Sequence, residues 1–154
     1  MTTRPFPDLD WPARLELLRA LLRGLGRVVV AYSGGVDSSV LLRVAHEVLG
    51  PAALGVVGRS DTYAEREFEQ ARAQAAAFGA RLETVTTGEL SDPAFRANPP
   101  ERCYHCRDAL FARLDELAAR EEAVVVDGTV LEDLAEFRPG RRAAAEHHVR
   151  SPLA

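Results

Sequence analysis

The chain has 154 residues, of which 47% are hydrophobic and 27% charged, with 11 glycines and 9 prolines; these proportions suit one compact globular domain and exclude collagen, coiled coil and extended disorder. A chain of this length buries roughly two-thirds of the surface it exposes when unfolded, so it can hold a core without disulfides or a structural metal. Its 19 basic and 23 acidic residues leave a net charge of -4, which counts against broad electrostatic capture of nucleic acid or an anionic membrane; every basic residue is Arg, which excludes a Walker-type P-loop with its phosphate-reaching Lys.

The opening residues, MTTRPFPDLDWPAR, hold no apolar stretch of signal-peptide length, and no apolar run reaches the roughly 18 residues of a membrane helix. A cytosolic, cytoplasmic protein is expected. Leu15, Leu18, Leu21, Leu22 and Leu25 form a helical stripe opened by Asp10 as N-cap, with Pro12 in the first turn, and closed by Gly24 and Gly26. RVVVAY, 27–32, is a short β-branched run and reads as a strand buried on both faces. A helix over 38–49 and a second buried strand over 53–58 follow. The order repeats with a helix over 64–78 ended by Gly79, a strand over 81–87, a helix over 106–120 and a strand over 123–128. This alternation specifies an α/β fold, a Rossmann-like parallel sheet of about five strands flanked by helices. Right-handed crossovers gather the loops after the strands on one edge, where ligands of such sheets bind. Two long segments, 88–106 and 128–142, are of a length that compact domains reserve for function. The tail AAAEHHVRSPLA lacks a helix cap, and the chain reads as stopping in mid-protein.

Between the first strand and its helix stands Ser33-Gly34-Gly35-Val36-Asp37-Ser38-Ser39. Small residues let a backbone wrap around phosphate, and the N–H groups opening the next helix, reinforced by its dipole, favour an anion. The hydroxyls of Ser33, Ser38 and Ser39 add donors. An acidic side chain in a phosphate loop is unfavourable unless a cation joins it, so Asp37 points to Mg²⁺. The plainer alternative is a tight turn capped by Ser and Asp. Cys103 and Cys106 form a C-x-x-C pair, which in a reducing compartment suggests metal, cluster or redox chemistry, with two isolated thiols as the alternative. His147 and His148 share no ligand spacing with another His or Cys and read as surface residues.

SGGVDSS after an apolar strand resembles the PP-loop of the ATP pyrophosphatases, the superfamily of GMP synthetase, NAD synthetase, asparagine synthetase and the tRNA thiolases, with their adenine nucleotide alpha-hydrolase-like fold. Further on, NPPERCYHC at 98–106, DGT at 127–129, EDL at 132–134, RPG at 138–140 and SPL at 151–153 resemble, in the same order, the LarE-like ATP-dependent sacrificial sulfur transferases. One departure is Val130, where that family often has Asn. The resemblance implies a 1–154 ATP-binding PP-loop domain, with the family's C-terminal sulfur-transfer domain, and the Cys it carries, expected beyond the end of this chain. It implies ATP and Mg²⁺ as cofactors, a small-molecule carboxylate nucleotide as substrate, no membrane, and a homo-oligomer in the full-length form. The activity implied is adenylylation of a pyridinium carboxylate mononucleotide on the way to a nickel-pincer cofactor.

Carried onto this sequence, the resemblance assigns ATP to Ser33 through Ser39, to Ser60 at the end of the second strand, where the superfamily binds adenine, and to Gly128 after the fourth. Catalysis falls to Asp37, Ser38 and Arg138. Arg102 and Arg138 suit an anionic substrate because a guanidinium forks onto carboxylate or phosphate. Asp133 is a second candidate for Mg²⁺, and Glu132 a candidate cap. Cys103 and Cys106 stay open between two ligands of a [4Fe-4S] cluster, half of a zinc site and unliganded thiols. Competing functions are tRNA thiolation, against which the acidic balance counts, amide formation, and a nucleotide-binding module that is catalytically incomplete.

Overall fold

The computed structural model describes residues 10–59, 64–87, 102–130 and 140–154, the side chains at 102–106, 140 and 141 excepted. Helix α1, Trp11–Leu25, starts where Asp10 accepts the N–H of Ala13 at 3.0 Å and stops at Gly26, whose N–H caps Leu22. Strand β1, Val28–Ala31, is buried along its whole length and leads through residues 32–35 into α2, Val36–Leu49. Strand β2, Ala53–Arg59, α3, Glu65–Phe78, and β3, Arg81–Thr86, continue the alternation. Helix α4, Arg102–Glu121, strand β4, Val124–Val126, and the short helix α5, Gly140–Glu146, complete it.

The four strands are parallel in the order β3-β2-β1-β4. Val29 lies level with Leu54 on one side and Val125 on the other. About five strands were expected; the described residues form four, and a single parallel bridge from Val126 to Arg150 extends the sheet beyond β4. Alternation along β1 divides the core into two layers. Val28 and Val30 face Leu18 and Leu22 of α1, Leu41, Leu42 and Ala45 of α2, and Phe68, Ala71 and Ala75 of α3. Val29 and Ala31 face Phe111, Leu114 and Ala118 of α4 and Ala143 of α5. Each fully buried Val or Leu contributes about 1.5–3 kcal/mol, so this double coverage is what holds the central strand in place.

The chain runs from β1 outward to β3 and then crosses back to place β4 on the other side of β1. The strand order therefore reverses between β1 and β4, and the crevice outside the carboxyl ends at such a switch point is where open α/β sheets bind ligands. The opposite edge is closed by charge. Arg27, Arg81 and Arg120 all reach Glu121, at 3.1, 3.2 and 3.3 Å, and Arg120 also pairs with Glu83 at 2.8 Å. Hydrogen bonding from Arg81 leads the effects that hold Glu121 below the ordinary carboxylate range. These arginines act as ties across the amino edge of the sheet.

Two local differences from expectation concern helices. Helix α4 begins at Arg102, four residues before the start expected at 106, so Cys103 and Cys106 belong to its opening turns. A helix, α5, stands where the Ala-rich tail showed no cap.

Candidate active site

The loop after β1 sits at the crevice. Gly34 has φ of 86°, and a Cβ there would lie 2.8 Å from the Cβ of Ala71 on α3. Glycine is required twice over, by backbone conformation and by close approach. On the other side, a Cβ on Gly128 would lie 2.8 Å from the backbone nitrogen of Ser38 and 3.0 Å from its Cα. The loop after β4 thus rests directly on the first turn of α2, and the two loops that flank the crevice touch through bare backbone.

Inside the loop the hydroxyls brace the backbone. Ser38 and Ser39 are buried. The Ser33 N–H donates to Ser38 Oγ at 3.1 Å, the two hydroxyls of Ser33 and Ser38 lie 3.1 Å apart, and the Gly35 N–H donates to Ser33 Oγ at 3.3 Å. Ser39 donates from Oγ to the Gly35 carbonyl at 2.6 Å. The N-cap of α2 is Gly35, and no side chain caps it among the described residues. A 14-residue helix therefore presents its N-terminal N–H groups and the positive end of its dipole at the crevice. Val36 and Asp37 are exposed in this turn.

An open cleft of about 660 Å³ lies over the loop, bounded by Ser33, Gly34 and Gly35 on one side and by Glu67, Gln70, Ala71 and Gln74 of α3 on the other. None of the α3 residues was singled out from the sequence. Their spacing of three, one and three is a helical stripe beside the buried Phe68, Ala71 and Ala75, and that stripe was the available signal. Gln74 is tied to the loop: its carboxamide lies 3.0 Å from Ser39 Oγ and 2.9 Å from the Tyr32 hydroxyl.

The loop after β4 is fixed by Asp127, which is 2% exposed. Its carboxylate accepts the N–H of Thr129 at 3.2 Å, the Thr129 hydroxyl at 3.0 Å and the Ser151 hydroxyl at 2.7 Å. Two sequence motifs separated by more than twenty residues, Asp-Gly-Thr and Ser-Pro-Leu, are joined in this way. Opposite the α2 face of the sheet, His147 corrects the surface reading. Its Nδ1 lies 2.6 Å from Asp115 and its Nε2 2.8 Å from Asp108, both on α4, with the Phe111 ring 6.0 Å away. Burial disfavours charge on this imidazole, but its hydrogen bonds to Asp108 and Asp115 and their negative charge outweigh it and hold His147 above the ordinary histidine range. His148, by contrast, is exposed.

The structure brings together Ser33 through Ser39 and Gly128. Ser60, Glu132, Asp133 and Arg138 lie outside the described residues, as do the side chains of Arg102, Cys103 and Cys106. The backbone places the last three at the start of α4, and a helix returning to a parallel strand begins at the carboxyl edge of the sheet. Among the described residues no three His, Cys, Asp or Glu side chains gather as metal ligands, and no helix is long and apolar enough to cross a membrane.

No protein-family model matches the chain. It is 43% identical over 143 residues to an uncharacterized protein of Synechocystis sp., an alignment covering 92% of this chain and 53% of that protein. It is 37% identical over 138 residues to the pyridinium-3,5-bisthiocarboxylic acid mononucleotide synthase of Lactiplantibacillus plantarum, covering 88% of this chain and 50% of that enzyme. The chain spans about half the length of the curated relatives it matches. Among solved structures, the NH3-dependent NAD synthetase of Campylobacter jejuni superposes with a TM-score of 0.69 at 15% identity, over 82% of this chain and 59% of that one. The NMN synthetase of Francisella tularensis gives 0.64 at 16% identity, over 80% and 56%. At such identities these two establish the fold alone.

Proposed function

The chain belongs to the LarE-like branch of the PP-loop superfamily across the half of those relatives that it spans, and from that premise we propose that it is the ATP-using part of a sulfur transferase. Its reaction is adenylylation of a carboxylate on a pyridinium mononucleotide, the class of compound named in its Lactiplantibacillus plantarum relative. The observation that carries this reading is the meeting of the 33–39 loop and Gly128 at the crevice, backbone against backbone.

A free carboxylate is a poor electrophile because it is anionic and would have to expel oxide. In the proposed step a carboxylate oxygen attacks the α-phosphorus of ATP, the bond to the bridging oxygen breaks, and pyrophosphate leaves. The acyl-adenylate then carries AMP as a leaving group for a sulfur nucleophile. Transfer of this kind depends mainly on positioning and charge neutralisation. The uncapped N–H groups of α2 supply fixed positive potential for the departing pyrophosphate. Mg²⁺, when bound, neutralises phosphate charge, and Asp37, an exposed carboxylate in the same turn, is the residue that fits it. Arg102 and Arg138 are assigned to the anionic acceptor, Ser60 to adenine, and Asp133 to a supporting role at the metal. Cys103 and Cys106, three residues apart at the start of α4, can offer two thiolates to a cluster that takes its remaining anchors from elsewhere.

The test is incubation with Mg-ATP and a pyridine dicarboxylate mononucleotide. Pyrophosphate is expected in an amount equal to acyl-adenylate and free AMP together, and Asp37→Ala should weaken Mg-ATP binding about tenfold with the fold intact. Stoichiometric ADP overturns the reading. Stimulation by tRNA or by nicotinate adenine dinucleotide instead of the mononucleotide overturns the acceptor and moves the chain to a thiolating or amide-forming branch.

A further inference from the structure

The contacts of Gln74 contain a constraint on which end of its carboxamide faces the loop. Ser39 Oγ lies 2.6 Å from the Gly35 carbonyl and 3.0 Å from the Gln74 carboxamide. The Tyr32 hydroxyl lies 2.8 Å from the Ala71 carbonyl and 2.9 Å from the same carboxamide. Each hydroxyl has one proton, and a main-chain carbonyl can only accept. At each hydroxyl the contact to the main-chain carbonyl is the shorter, 2.6 against 3.0 Å at Ser39 and 2.8 against 2.9 Å at Tyr32. Both protons therefore go to the carbonyls, and both hydroxyl oxygens are left as acceptors toward Gln74. The carboxamide atom placed at these distances is Oε1, which can only accept; turning the amide by half a rotation puts its NH₂ end there, and only that end satisfies two acceptors at once.

The consequence passes to the phosphate loop. The Gly35 carbonyl accepts from Ser39 twice, from its N–H at 3.0 Å and from its Oγ at 2.6 Å. That carbonyl and the N–H of Val36 belong to one planar trans peptide, so pinning the oxygen toward the helix aims the N–H the opposite way, outward from the N-terminus. We propose that Gln74 is a positioning residue for the anion-binding turn: its carboxamide nitrogen donates to Ser39 and Tyr32, which orients the Gly35 carbonyl and through it the Val36 N–H that meets the phosphates of ATP. This deepens the proposed function and rests on it for the identity of the anion. Tyr32 directly follows the central strand and is 3% exposed, so the bracing links α3, the end of β1 and α2.

The test uses the full chain as wild type, Gln74→Glu and Gln74→Met, with calorimetric binding of Mg-ATP and of inorganic pyrophosphate, and melting of the ligand-free protein, at about pH 8 and about pH 4. At the higher pH both variants should bind Mg-ATP about tenfold more weakly than wild type. In the pyrophosphate-release assay KM for ATP should rise about tenfold with kcat held within about twofold, the signature of lost ground-state positioning. Lowering the pH protonates the introduced carboxylate and returns one O–H donor. Gln74→Glu should then regain a large part of its affinity and its ligand-free melting temperature relative to wild type, while Gln74→Met should not. Glu67, on the same cleft wall, is present in all three proteins, so its effect cancels in the ratio. If Gln74→Glu matches wild type at both pH values, the carboxamide oxygen faces the hydroxyls and the proposal is wrong. Wild-type affinity in Gln74→Met overturns the positioning role. A wild-type chain that binds Mg-ATP yet releases no pyrophosphate defeats the proposed activity while the binding ratios still decide Gln74; one that binds neither ATP nor pyrophosphate defeats both.

Discussion

Replacing Gly128 by Ala adds one methyl group at the place where the two loops of the crevice meet. Its Cβ would stand 2.8 Å from the Ser38 nitrogen, 3.0 Å from the Ser38 Cα and 3.2 Å from the Asp37 carbonyl carbon. Heavy atoms of this kind rest at about 3.5–4 Å, so the loop and the helix must separate by roughly 0.5–1 Å. Neither side yields easily. The atoms on α2 are backbone, and the helix is seated by Leu41, Leu42 and Ala45, all fully buried; on the other side Asp127 anchors the loop by three hydrogen bonds. The overpacking should cost about 1–3 kcal/mol and lower Tm by about 3–10 °C. Because the displaced atoms are those that open α2, Mg-ATP affinity should fall about tenfold or more as well. Gly24→Ala is the control: a Cβ there meets nothing within 4 Å, and Ala in a helix should stabilise by about 0.5–1 kcal/mol. Urea denaturation and calorimetry on the two variants decide the matter. Wild-type stability and wild-type ATP affinity in Gly128→Ala would refute the backbone contact and with it the shared site.

His147 should stabilise the protein through its charged form. Its folded-state pKa is raised, so its contribution is complete below the unfolded value of about 6.5 and is lost as pH rises through the folded value. The difference in urea-unfolding free energy between wild type and His147→Ala should accordingly be about 1–3 kcal/mol larger near pH 5.5 than near pH 9; a difference independent of pH contradicts the imidazolium clamp. Ser151→Ala removes the 2.7 Å donor to the buried Asp127 carboxylate and should cost about 1–3 kcal/mol in the same assay, whereas an unchanged midpoint would mean that the Ser-Pro-Leu segment does not secure the loop after β4.

The elements that were legible in the sequence are those whose burial is written locally. Val28, Val29 and Val30 are consecutive because both faces of β1 are covered, and such a run has one reading when Gly flanks it. Asp10 and Gly26 marked the ends of α1 because caps are chemistry of single residues. The start of α4 was placed late because its apolar rhythm becomes visible only at Leu110, Phe111 and Leu114, while its first turns, RCYHC, are polar or ambiguous. Helix α5 was missed for a related reason. Its buried contact is Ala143, and one alanine among neighbours of the same kind produces no stripe; the helix owes its place to packing against α4.

The candidate site divides along the same line. A phosphate-binding turn is legible because the requirement for small residues, hydroxyls and an acidic partner falls on seven consecutive positions. What holds that turn in shape is distant in the chain: Gln74 reaches Ser39 from 35 residues away and Tyr32 from 42, and Ser151 reaches Asp127 from 24. His147 meets Asp115 and Asp108 from 32 and 39 residues away. At those separations neither periodicity nor motif spacing carries information, because the pairing is created by the order of strands in the sheet. Crossing from β3 back to the far side of β1 sets the loop after β4 against the start of α2, and the α2–α3 packing sets Gln74 beside Ser39. A change that keeps every residue of SGGVDSS but loosens α3 should therefore impair the loop as surely as a substitution within it, and Gln74→Met tests that dependence without touching the motif.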